Sequence, residues 1–139
     1  MRVLGLDIGE KRIGVALSDP EGIVAIALTV IERKSEDTDL EQLIALAREN
    51  EVELIVVGLP RSLDGGLGKQ AQAVQAFTES LVGCTELPVV TWDERLSTVA
   101  AERMLIEAGV KREKRKKSLD SVAAAFILQG YLDRARSDK

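Results

Sequence analysis

The chain has 139 residues, 45% of them hydrophobic and 30% charged, with a formal net charge of −4, which is the size of one ordinary domain and the balance of a soluble globular protein. It contains no histidine and one cysteine, Cys84, which excludes a Ser-His-Asp triad, a Cys-His pair, any histidine-based zinc site and an internal disulfide framework. No apolar run approaches the roughly 18 residues of a membrane span, and the N-terminus enters a strand pattern without the layout of a signal peptide, so a cytoplasmic protein is expected.

"VLGLDI" and "RIGVALSD" near the N-terminus both read as strands. In the second, Ile13, Val15 and Leu17 alternate with Arg12, Gly14, Ala16 and Ser18, a period of two. "GEK" between them suits a tight hairpin connection, and "DPEG" at 19–22 is a turn that uses Pro20 and Gly22. "IVAIALTVI" supplies a third strand, and the three form an antiparallel meander. The period then changes. Leu40, Leu43, Ile44 and Ala47 share one helical face, with Thr38 and Glu41 as a capping box at its start and Asn50 at its end.

"ELIVVGLP" is a short, continuous apolar strand of the kind buried on both faces. Ala71, Val74 and Leu81 mark a second helix that stops near Gly83, and "LPVVTW" reads as another buried strand. Ser97 caps an expected third helix carrying Ala101, Met104, Leu105 and Ala108 and ending at Gly109. Ser118 caps an expected last helix through Ala124, Ile127, Leu128 and Tyr131. The order β-β-β-α-β-α-β-α-α predicts an α/β fold, one domain over residues 1–139. Its five-stranded mixed sheet has helices on both faces. Right-handed crossovers place the fourth and fifth strands parallel to the first, giving the strand order 3-2-1-4-5.

In such sheets ligands bind beyond the carboxyl ends of the parallel strands. Acidic residues reach that edge from three distant parts of the chain: Asp7 ends the first strand, Asp93 and Glu94 follow the fifth, and Asp120 lies at the start of the last helix. Ala123, Ala124, Ile127 and Tyr131 continue the stripe that Asp120 heads, so this carboxylate sits at the core edge and needs a partner. With no histidine at hand and the dense basic residues in the preceding segment, a divalent cation is a candidate. Each acid also has a plain structural role: Asp7 as a turn residue, Asp93 or Glu94 paired with Arg95, Asp120 as a helix-terminus charge. Their convergence from independent elements favours a metal site. Hard oxygen donors suit Mg2+ or Mn2+, and two such ions support phosphodiester hydrolysis without histidine.

Residues 111–117, "KREKRKK", hold six basic groups and one acid, while the remainder of the chain carries a charge of −9. An acidic body with one basic segment suggests a docking point for a polyanion. The segment, Lys111, Arg112, Lys114, Arg115, Lys116 and Lys117 with Glu113, leads directly into Asp120. Lys11, Arg12 and Arg95 lie near the same edge, where they hold phosphates or pair with neighbouring acids. Gly9 and Gly14 either admit a close backbone approach or serve turn geometry and packing, and Gly65 and Gly66 belong to a glycine-rich connection bordering the edge. Aromatic residues make up only 3%, so no stacking platform for single-stranded bases is present, and backbone and shape recognition is expected.

"GLDIGEKRIGVALSD", "VVGLPRSLDGGLG", "TWDERLST" and "KRKKSLDSVAAAFILQGYLD" together resemble the bacterial YqgF/RuvX proteins, small members of the RNase H-like superfamily, over essentially the whole chain. The resemblance implies a metal-dependent nuclease that matures the 5′ end of precursor 16S ribosomal RNA, acting on pre-rRNA or ribosomal particles. A Holliday junction resolvase acting on DNA is its alternative. It also implies an acidic centre of Asp7, Glu94 and Asp120, with Asp93 the weaker candidate for the middle position, holding one or two Mg2+ or Mn2+ ions. The fourth acid common in the superfamily is missing, since Ala123 and Ala124 follow Asp120. A resolvase needs two active sites and therefore a homodimer, so a monomer counts against it; monomer or homodimer stays open. Two further classes stay open: a non-catalytic nucleic-acid-binding assembly factor, and an actin-like ATPase, which needs two such domains.

Overall fold

The structure, a computed structural model, describes residues 1–60, 68–93 and 112–137, the side chains of 112–119 and 137 excepted. Strands β1 (Val3–Ile8), β2 (Arg12–Ser18) and β3 (Ala25–Glu32) form the antiparallel meander. Strand β4 (Leu54–Leu59) runs parallel to β1, and β5 (Val89–Asp93) runs parallel to β4. The sheet order is β3-β2-β1-β4-β5, as the crossover rule predicts. A bulge after Val15 leaves Leu28 as the extra residue of β3.

Alternation along each strand divides the interior in two. Leu4, Leu6, Ile8, Ile13, Val15, Ile55, Val57 and Leu59 join Leu43 of α1 (Glu36–Glu49) and Phe77 and Leu81 of α2 (Lys69–Cys84) on one face. Val3, Ala16, Leu54 and Val56 join Ala124, Ile127, Leu128 and Leu132 of α3 (Arg112–Ser137) on the other. Strand β4 is buried at every position because helices cover both its faces. A glycine at position 5 lets α3 lie close: a Cβ there would stand 2.7 Å from the Leu128 Cβ.

Four expectations change. Helix α1 is capped by Ser35, whose Oγ accepts the Thr38 N–H at 3.2 Å, and not by a Thr38–Glu41 box. Glu36, Asp37 and Asp39 then occupy its first turn, where the dipole favours them. Strand β5 is not buried: it is the sheet edge, and its residues are half-buried or exposed. The last helix does not start at Ser118. It runs from Arg112, so the basic run from 112 to 117 is helical backbone and Asp120 lies more than two turns inside the helix. The dipole is thus not what stabilises Asp120, since its effect fades within the first turn. The helix expected after Ser97 lies outside the described residues. Asn50 ends α1 as predicted, its N–H reaching the Leu46 carbonyl, and Glu51 follows in the left-handed region at φ 54°.

Candidate active site at the carboxyl edge of the sheet

Strand β1 carries Asp7 to the carboxyl end of the parallel strands. Alternation turns it to the α3 face, the face of Val3 and Gly5. Its partner across the antiparallel ladder is Gly14. On that same face the main chain of Asp120 lies directly on Gly14, so close that a Cβ would collide with the Asp120 carbonyl. Asp7 and Asp120, more than a hundred residues apart, thereby flank one glycine with no side chain between them.

The Asp120 carboxylate has a partner that local sequence pattern does not reveal. Arg12 Nε donates to Asp120 Oδ2 at 2.7 Å, with the two side chains 28% and 26% exposed. Of the two roles the sequence offers Arg12, holding phosphate or pairing with a neighbouring acid, the structure shows the pairing: the hairpin brings Arg12 across the sheet to Asp120. The hydrogen bond and the charge of Asp120 push the Arg12 pKa above its ordinary value, and Glu32, opposite it on β3, adds to this. The pair borders a cleft of about 400 Å3 lined by Gly9, Glu10, Lys11, Arg12, Gln70 and Asp120.

The hairpin tip at this cleft is braced from two sides. The Gly9 N–H donates to the Arg12 carbonyl at 2.9 Å, where a side chain on Gly9 would crowd that same oxygen. Arg33 Nη1 donates to the Gly9 carbonyl at 2.8 Å, and its Nε reaches the buried Asp39 at 3.2 Å. Its guanidinium stacks 5.0 Å from the Phe77 ring centre. Asp39 is therefore a structural acid, fully paired away from the edge, and Arg33 holds the tip in place. Sequence pattern alone marks neither Arg33 nor Gln70 as a site residue. For Gln70 the available signal is its position in the first turn of a helix that follows a parallel strand.

Asp93 pairs with Leu59 and shares its face, opposite to Asp7 and Asp120. Trp92, one residue earlier, faces α3 and meets the Tyr131 ring edge-on at 6.1 Å, a core-edge role. Glu94, Arg95, Gly65, Gly66 and Lys111 lie outside the described residues, as do the side chains of Arg112, Lys114, Arg115, Lys116 and Lys117. Among the described residues no three acidic or thiol side chains are grouped for a metal. Asp7 and Asp120, carried to one face of the sheet, are hard oxygen donors, and the guanidinium on Asp120 shows that its carboxylate accepts a cation, so their chemistry fits Mg2+ or Mn2+.

A family model described as "RuvX: Holliday junction resolvase" matches residues 1–134. A protein of Clostridium kluyveri named "Putative pre-16S rRNA nuclease" is 54% identical over 134 residues, 96% of this chain and 98% of the relative. A protein of the same name from Symbiobacterium thermophilum is 56% identical over 133 residues, 96% of this chain and 92% of the relative. Among solved structures, T. thermophilus RuvC in complex with a Holliday junction substrate aligns with a TM-score of 0.64 at 16% identity, covering 100% of this chain and 97% of that one. The fowlpox virus Holliday junction resolvase aligns at 0.58 and 16% identity, covering 96% and 99%. Likeness at this identity establishes the fold.

Proposed function

This chain belongs to the RuvX family, and from that premise we propose that it is a metal-dependent nuclease that hydrolyses phosphodiester bonds in structured RNA, processing the 5′ end of precursor 16S ribosomal RNA. The name carried by relatives over half identical along nearly the whole chain supports the substrate. The observation that supports the chemistry is that Asp7 lies opposite Gly14 in the β1–β2 ladder while the Asp120 main chain packs on the same glycine, at the carboxyl edge of the parallel strands.

Asp7 and Asp120 would hold Mg2+ or Mn2+ together with Glu94. That Asp93 faces the opposite side supports Glu94 over Asp93 as the middle ligand. When bound, the ion supplies Lewis-acid stabilisation of charge on the scissile phosphate. Ala123 and Ala124, the residues one turn beyond Asp120, are buried in the core and offer no carboxylate. This supports one ion held by the protein, a second being recruited with the substrate phosphate. Lys11, Arg12 and Arg95, with Lys111, Arg112, Lys114, Arg115, Lys116 and Lys117, hold the polyanion that the carboxylates alone would repel. Gly9 keeps the hairpin tip low beside the cleft, and Gly65 and Gly66 border the same edge. The proposed enzyme works in the cytoplasm as a monomer or homodimer, and no helix among the described residues is long and apolar enough to cross a membrane.

The test is a cleavage assay on 5′-extended precursor 16S RNA and on four-way DNA junctions, each with Mg2+ or Mn2+, with Asp7→Asn as control. Cleavage of the RNA, lost in the variant, is expected. Preferential cutting of junctions by a dimer would establish the resolvase instead, and tight RNA binding with no metal-dependent cleavage would establish an assembly factor.

A further inference from the structure

Arg12 has two competing uses. Its Nε is bound to Asp120 Oδ2 at 2.7 Å, yet the proposed site needs that carboxylate for a divalent ion and needs the guanidinium for phosphate. Asp120 Oδ1 and the remaining lone pairs leave room for an ion, but a guanidinium held on the same carboxylate repels a divalent cation and so competes with it. We infer that Arg12 is an exchangeable counter-ion: it neutralises Asp120 until a divalent cation takes the carboxylate, and it is then released into the adjoining cleft.

The geometry permits this exchange at low cost. Both side chains are about a quarter exposed, so each can be rehydrated as the pair opens. The cleft beside the pair, about 400 Å3, already includes Arg12 in its lining, with Glu10 and Lys11 as its other charged walls besides Asp120. Glu32, opposite Arg12 in the β2–β3 ladder, keeps the freed guanidinium near the edge by its charge. The Asp120 main chain stays where Gly14 seats it, so the ligand does not have to move when its partner leaves. The inference rests on the metal reading of Asp120 proposed above.

Two measurements on the full-length protein test it. In the first, Mn2+ alone is titrated into wild type, Arg12→Gln, Lys11→Gln and Asp120→Asn, with free Mn2+ followed by electron paramagnetic resonance. Removing a competing cation of this kind is worth roughly a fivefold change in affinity. Arg12→Gln should therefore bind Mn2+ about fivefold more tightly than wild type. Lys11→Gln, which removes the same charge from the same cleft without touching Asp120, should gain clearly less, and Asp120→Asn should lose the site. In the second, the Arg12 Nε–H resonance of wild type is followed by NMR during Mg2+ addition, which needs no variant to fold. It should shift as the bond to Asp120 breaks. If Asp120→Asn abolishes Mn2+ binding but Arg12→Gln binds no more tightly than Lys11→Gln, or the Arg12 resonance is unmoved at Mg2+ saturation, the counter-ion role fails while the metal site stands. If wild type binds no Mn2+ at all, the metal reading and the counter-ion fall together.

Discussion

Gly14 lies under the main chain of Asp120 and opposite Asp7, so the absent side chain at position 14 is what lets Asp120 pack beside the strand pair that carries Asp7. Gly14→Ala would drive a Cβ into a backbone carbonyl, which cannot swing aside as a flexible side chain can. Overpacking of this kind costs about 1–3 kcal/mol and more against rigid backbone. We expect a loss of about 3 kcal/mol in urea unfolding and a parallel loss of nuclease activity, because α3 and Asp120 must lift from the sheet.

Replacing a glycine whose Cβ would meet open space should have the opposite sign. Gly83 lies near the end of α2, and a Cβ there meets nothing within 4 Å. Gly83→Ala should stabilise the protein by about 0.5–1 kcal/mol by reducing the freedom of the unfolded chain. A destabilised Gly83→Ala protein in the same urea titration would contradict this account.

Asp7→Asn preserves shape and removes a charge. Partners that merely orient metal ligands are worth about 10–100-fold, so loss of a direct ligand should exceed about 100-fold in cleavage rate. Binding of RNA should persist, as measured by gel shift in EDTA. Equal loss of binding and cleavage would mean that Asp7 acts in folding or docking instead of chemistry.

Asp19 organises the connection between β2 and β3, its Oδ1 accepting the Ile23 N–H at 2.6 Å and the Val24 N–H at 2.9 Å. The hydrogen bond from Val24, then that from Ile23, holds its pKa below the ordinary value of 3.8. A depressed folded-state pKa means that ionised Asp19 stabilises the fold at pH values above 3.8, and that this is lost as pH falls through the lower folded-state value. The stability difference between wild type and Asp19→Asn should be constant above about pH 5 and shrink as the pH is taken below about 4. Urea midpoints measured across that range check it, and a difference that grows toward acid would refute it.

Replacing Lys114, Arg115, Lys116 and Lys117 by glutamine should weaken RNA binding for all sequences alike. It should also flatten the log–log salt dependence by up to about 0.9 for each duplex phosphate that is no longer neutralised. An unchanged slope in filter binding between about 50 and 200 mM salt, the range where such slopes are read, would remove this segment from the interface.

Most of the fold is legible in the sequence because period-two alternation, a fully apolar strand and the handedness of crossovers are local or nearly local rules. They place β1 to β5, order the sheet and bring Asp7 to its edge. Caps are less legible: Ser35 and Thr38 both suit a helix start, and only the chain leaving β3 decides between them. The start of α3 escapes local reading for a similar reason. Ser118 is a good cap in isolation, but lysine and arginine are also good helix formers, and the helix continues through them.

The sequence by itself determined which chemistry was available: a histidine-free chain with acids at strand ends and a basic run beside one of them. Tertiary structure decided who meets whom. Asp120 faces Arg12, 108 residues away, and Asp93 turns from Asp7. Such pairings depend on strand register and on how closely a helix can approach a glycine, distances that no local pattern encodes.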